Sequence, residues 1–144
     1  MWNYIVLAWT AWFMGFFPLF EVYLAVPAVM VMGLDPISSV FWASLGNFCA
    51  VPCVIYGYRL LERFSAVKRW FERLQQSRYK PMVERYGAIV VLLLTPVIGV
   101  WAMAVIARGL DMSLNKLFVS SAVSILLYSI LTAWITAAGL DLFA

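Results

Sequence analysis

Apolar residues fill this chain in four blocks, 4–34, 38–58, 88–107 and 114–140, and most polar residues collect between them. A bilayer core of about 30 Å is crossed by about 20 residues of helix. The second and fourth blocks read as full spans on that measure, and the third is marginal. The first, at 31 residues, is too long for a simple span. It opens on an aromatic run, Trp2, Tyr4, Trp9, Trp12 and Phe13, of the kind that favours the membrane interface. Gly15, Pro18 and Pro27 then interrupt it before Gly33-Leu34-Asp35-Pro36, a turn signal.

Each proline removes a helix hydrogen bond and disfavours helix at the residue before it. Block one therefore fits either one kinked helix or two half-length helices joined by a break near Glu21. The break is the reading carried forward, because broken helices are how many transporters build midplane sites. Block three is interrupted by Pro96 and Gly99, followed by Trp101, and fits either a kinked span or a re-entrant hairpin. In block two, Ala43, Ser44 and Gly46 are small enough for close helix contact, and Asn47 adds an amide to an apolar stretch. Block four carries Ser120, Ser121, Ser124, Ser129, Thr132 and Thr136, hydroxyls able to close helix interfaces or to bond a facing broken backbone.

Between blocks two and three the character changes. Leu60, Phe64, Val67, Phe71 and Leu74 recur at three- and four-residue spacing, opposite Arg59, Glu62, Arg63, Lys68, Arg69, Glu72 and Arg73. This pattern predicts a basic amphipathic helix lying on an anionic leaflet. Residues 59–85 hold eight of the ten Lys and Arg and three of the seven acids. The positive-inside rule places such a segment in the cytoplasm, with the protein as a multi-pass component of the inner or plasma membrane. Nucleic-acid binding is set aside because the run lies between membrane blocks. No Lys or Arg precedes Arg59, so the basic start of a cleaved signal peptide is missing and block one is expected to be retained.

Composition supports the membrane assignment. Of 144 residues 65% are hydrophobic and 12% charged, with a mean hydropathy of +0.94; so few charges cannot cover a soluble domain of this size. One membrane domain is expected, with residues 1–58 as a first repeat, 59–85 as a basic linker and 86–140 as a second repeat. Cys49 and Cys53 lie one helical turn apart without CxxC spacing, and the chain has no His, so they read as small hydrophobes. No metal, cofactor or enzymatic activity is expected: there is no acid pair at one site and no reactive-thiol motif.

Glu21 stands out. It is the one charge within residues 4–34, and an ionised carboxylate in hydrocarbon costs roughly 2.5 kcal/mol or more, so it needs a polar partner, a proton or water. A shift of 76 residues also lays residues 28–35 on 104–111, matching Ala28, Val29 and all of Gly33-Leu34-Asp35, with Ser44 falling on Ser120. In both halves a Pro-broken block leads through Gly-Leu-Asp to a full span. The expected fold is thus an all-α polytopic membrane protein of two inverted repeats, each a re-entrant helical hairpin followed by a transmembrane helix.

Phe17-Pro18-Leu19-Phe20-Glu21, Ala25-Val26-Pro27 and Leu45-Gly46-Asn47, then Tyr86-Gly87, Pro96, Gly99, Trp101 and Ala104-Val105-Ile106-Ala107 together resemble the motifs of the small multidrug export protein family, related to the DedA (SNARE-associated) superfamily. The resemblance covers about residues 13–125. The chain departs from that pattern at Tyr23, where the family usually has Arg, and its second motif is poorer in Pro and Gly. The resemblance implies two re-entrant hairpins entering from opposite leaflets. It also implies a transport role: proton-coupled export, or movement of a lipid such as polyprenyl phosphate between leaflets. Glu21, Tyr23, Asn47 and Arg108 would form the substrate or proton-coupling set, while Pro18, Pro27, Pro96, Gly99 and Trp101 shape the cavity. Membrane lipids, protons and further copies of the chain are the expected partners. A structural or assembly subunit without transport is the alternative.

Overall fold

The computed structural model describes residues 2–76, 78 and 80–143, with the side chains of residues 59, 61, 67, 71, 74, 75 and 141–143 outside that description. Val67, Phe71 and Leu74 of the expected apolar face are among the side chains left out. Seven helices make up the described residues: α1 Trp2–Phe16, α2 Glu21–Val31, α3 Pro36–Leu61, α4 Ser65–Gln75, α5 Lys80–Ile98, α6 Val100–Gly109 and α7 Leu114–Phe143. Three helical stretches are long and apolar enough to cross a membrane, Pro36–Tyr58, Lys80–Ile98 and Leu114–Leu140. At 1.5 Å per residue, α2 and α6 are only about 16 and 15 Å long, half of a hydrocarbon core. The chain divides into two compact units, residues 1–49 with 125–144, and residues 50–124.

In the first unit α1 and α2 pack together. Their direction follows from the ends. Tyr4, near the start of α1, shares a hydrogen bond of 3.2 Å with Ser38, just beyond the end of α2, and Trp42 Nε1 donates to Tyr4 Oη at 3.2 Å. The chain therefore doubles back at residues 17–20. Ala11, Val29 and Leu34 form a buried cluster flanked by Leu7 and Trp42. α1 and α3 meet through two glycines: a Cβ on Gly15 would collide with the Ala43 carbonyl, and one on Gly46 with the Trp12 carbonyl. This reciprocal contact is the small-residue packing expected at Ala43 and Gly46, with α1 as the partner. Ser44 Oγ donates to Ser129 Oγ at 2.8 Å, tying α3 to α7.

Asp35-Pro36 starts α3 in the expected way. Asp35 Oδ2 accepts the Ser38 backbone N–H at 2.8 Å, and Pro36 at the first helical position has no N–H to leave orphaned. The bond from Ser38 holds the exposed Asp35 carboxyl below its ordinary pKa. The contribution of this cap is therefore complete at neutral pH and is lost as pH falls through the folded-state value. Asp35→Ala should cost about 1 kcal/mol. In a thermal-unfolding series from pH 7 to pH 3, the gap between variant and wild type should close towards the acid end.

The second unit repeats the plan. α5 and α6 pack together across Gly99, and α4 packs against α6. Helical geometry lapses at Tyr86 (φ −121°, ψ 17°), where the charged start of α5 gives way to apolar residues. Pro96 cannot donate to Leu92 O, and Ser124 Oγ of α7 supplies a donor to that carbonyl at 3.4 Å. This is the use expected of the block-four hydroxyls.

The backbone corrects the register of the repeat. It follows an offset of 78, not 76. Leu34 N donates to Val29 O at 2.9 Å and Met112 N to Ala107 O at 3.0 Å. Gly33 N to Met30 O is matched by Asp111 N to Arg108 O, Met32 N to Ala28 O by Leu110 N to Ile106 O, and Ser39 N to Asp35 O by Leu117 N to Ser113 O. The left-handed residue closing each helix is Gly33 (φ 101°) in the first turn and Asp111 (φ 58°) in the second. The two Gly-Leu-Asp strings are therefore alike in letters and two residues out of step in structure. The physical reason lies one residue further on. Leu34 and Met112 are the buried residues, 4% exposed each, that make the apolar contact after a helix C-terminus, and they fix the turn.

Candidate functional site

The corrected register lays Pro18-Leu19-Phe20-Glu21-Val22-Tyr23 on Pro96-Val97-Ile98-Gly99-Val100-Trp101. Pro and Val recur, an aromatic follows in both, and each segment is the break of its half. Glu21 N donates to Phe17 O at 3.2 Å, and Gly99 N to Thr95 O at 2.9 Å. Val22 and Val100 are both buried. Four of the cavity-shaping and coupling candidates thus fall into equivalent pairs, Pro18 with Pro96 and Tyr23 with Trp101, around Glu21 and Gly99.

Both break residues have left-handed φ values, 45° at Glu21 and 85° at Gly99. For Gly99, with ψ 157°, this is backbone that essentially only glycine adopts. Gly99→Ala should therefore destabilise by about 1–3 kcal/mol, read as a lower unfolding temperature in detergent. For Glu21 the same sign of φ is an exception. An L-residue with a long side chain is strained there by about 1–2 kcal/mol, and nothing in the turn requires a carboxylate. Its side chain is nonetheless buried, 7% exposed, at the first position of α2. A helix N-terminus favours a negative group, so the carboxyl stands where backbone N–H groups point.

The structure places Glu21, Tyr23, Pro18, Pro27 and Asn47 in the first unit, and Pro96, Gly99, Trp101 and Arg108 in the second. Tyr23 is half-buried and meets Tyr128 edge-on at 6.3 Å. Asn47 follows Gly46 on α3, is 1% exposed, and its Oδ1 has no hydrogen-bond partner among the described residues. A buried amide oxygen left unpaired costs about 1–3 kcal/mol, which makes Asn47 an acceptor waiting for a donor.

Arg108, in the last turn of α6, lies over the Tyr58 ring with its guanidinium carbon 5.2 Å from the centroid. Its Nε is buried and has no hydrogen-bond partner among the described residues. Lys80 and Asp111 pair at 3.6 Å close by in sequence. Sequence reasoning missed Tyr58, and no local pattern marks it: the ring and the cation are 50 residues apart. The Ser124–Leu92 contact was more accessible, since Pro96 orphans the Leu92 carbonyl. In the first unit, a hollow of about 260 Å³ is lined by Tyr4, Ile5, Trp9, Trp12, Trp42 and Leu45 among others. None of the coupling candidates lines it. The buried carboxylate, and not the roomiest hollow, is where the chemistry concentrates.

Neither a curated protein nor a solved structure matches the chain. A family profile does, from residue 21 to residue 131. The matched stretch begins on Glu21 and takes in Tyr23, Pro27, Asn47, Pro96, Gly99, Trp101 and Arg108; Pro18 and α1 precede it. The chain belongs to the family described as "Putative small multi-drug export protein".

Proposed function

We propose that this chain is a small proton-coupled exporter of the cell membrane and that Glu21 carries the coupling proton. The observation behind this reading is a buried carboxyl in strained, left-handed backbone at the break between two half-helices. Strain that folding does not require is a mark of a functional position, and an ionisable group at membrane depth is one by default. Uptake of a proton removes the charge and release restores it. The two states of Glu21 then favour different arrangements of the break, which is the two-state element coupling needs.

In this reading Asn47 and Tyr23 are polar contacts on the Glu21 side, and Arg108 is one in the other half. Membership of the export family supports export as the activity. The substrate class follows from the wider resemblance: a hydrophobic or amphipathic molecule, including a lipid such as polyprenyl phosphate moved between leaflets. The two helix pairs act as re-entrant hairpins in inverted orientation, with residue 35 outside and residues 59–85 and 111 in the cytoplasm. Cysteines placed at 35 and 111, in a variant lacking Cys49 and Cys53, should be labelled from opposite faces. Labelling of both from one face removes the inverted arrangement.

Transport itself is tested in liposomes with purified protein. Wild type should dissipate an imposed pH gradient or move fluorescent lipid between leaflets, and Glu21→Gln should do neither. Equal rates for the two would favour the assembly-subunit reading.

A further inference from the structure

A second site lies in the other unit, away from Glu21. An open groove of about 500 Å³ runs between α5 and α7, floored by Ala88, Ile89 and Leu92 on one side and Val119 and Val123 on the other. Ile89, Val119 and Val123 are all more than half exposed. The groove lies within two helices apolar enough to span a bilayer, so lipid chains, and not water, are its natural occupant. It has one charged lining residue, Lys116, in the first turn of α7. Ser120, also in its wall, already donates to the Lys116 carbonyl, so that hydroxyl is spent within the helix. Nor is Lys116 committed to a carboxylate: the one salt bridge among the described residues joins Lys80 to Asp111.

From Lys116 to Val123 is about 10 Å along the helix. The groove is thus a cation at one end of an apolar trough. A lysine there extends its ammonium to the headgroup level while its stem covers apolar surface. An acyl chain in the trough would bring the phosphate of the same lipid to Lys116. The basic segment 59–85 borders the start of α5 and adds positive potential on that side of the unit, which draws anionic lipid to the neighbourhood.

We infer that the α5–α7 groove is a seat for one anionic phospholipid, its phosphate on Lys116 and one acyl chain along Leu92, Val119 and Val123. This seat is separate from the Glu21 reading and does not depend on it.

The test is native mass spectrometry of the full chain released from detergent carrying equal phosphatidylglycerol and phosphatidylcholine. Wild type should retain one phosphatidylglycerol, and Lys116→Gln should lower its preference over phosphatidylcholine about fivefold, the effect of one basic residue at an anionic surface. Lys116→Arg should keep the preference, which separates loss of charge from loss of fold. Val119→Trp, which fills the trough, should remove the bound lipid of either headgroup. Unchanged preference in Lys116→Gln would overturn the headgroup assignment, and unchanged retention in Val119→Trp would overturn the groove.

Discussion

Replacing Glu21 with Gly should separate folding from transport. The variant is expected to unfold at or above the wild-type temperature and to carry no pH-dependent flux. Glu21 has φ 45°, and glycine removes the penalty of about 1 kcal/mol or more that an L-residue incurs there. It also removes the desolvation cost of a buried carboxyl. Both changes favour the folded state. Against them stands the extra backbone entropy of glycine in the unfolded chain, worth up to about 1 kcal/mol, so the net shift is zero or upward. Glu21→Gln keeps the strain and the shape but not the proton, and should lose flux while unfolding near wild type. The pair is read by thermal unfolding in detergent alongside flux in liposomes. If Glu21→Gly unfolds well below wild type, the carboxyl serves the fold and the strain is not functional.

Gly46→Ala should unfold at a clearly lower temperature than wild type, even though alanine is the better helix former by about 1 kcal/mol. The added Cβ would meet the backbone of Trp12, and its three nearest neighbours are all main-chain atoms of that residue. No rotamer change relieves such a clash, so α1 and α3 must separate. Overpacking of this kind costs about 3 kcal/mol, which outweighs the propensity gain by about 2. Gly57 provides the control on the same helix: a Cβ there meets nothing within 4 Å. Gly57→Ala should therefore hold or raise the unfolding temperature. Equal responses at the two positions would mean that α1 and α3 do not touch as described. Because Asn47 adjoins Gly46, the Gly46 variant should also lose activity in proportion to the displacement of α3.

Much of this architecture is legible in the chain because hydrocarbon length is a strict ruler. A 31-residue apolar block broken by prolines, with one carboxylate inside, could hardly be a single span, and α1 and α2 do separate at residues 17–20. Pro96 and Gly99 likewise mark the second break. The repeat is visible too, yet its letters mislead by two residues. Gly33-Leu34-Asp35 and Gly109-Leu110-Asp111 align by eye, but a turn is set by which residue takes the left-handed conformation and which apolar side chain packs after it. Asp111 takes that role in the second turn, and Met112, unlike Leu34, is outside the repeated string. Once the offset of 78 is used, Pro18 with Pro96 and Val22 with Val100 become the shared letters. The contacts between distant segments were not legible: Arg108 on Tyr58, and Gly15 against Ala43. Apolar sequence this uniform records that helices pack, while the choice of partner rests on shape, and shape at a glycine contact leaves no polar signature.

The claim at the centre of this account is that Glu21 gains and loses a proton within the membrane. Infrared difference spectroscopy of the protein in liposomes, titrated from acid to alkaline pH, reads this directly from the carbonyl stretch of a protonated carboxyl. The account predicts a band that disappears as pH rises and is missing from Glu21→Gln at every pH. A band that persists unchanged in Glu21→Gln, or its absence from wild type throughout the titration, would contradict it.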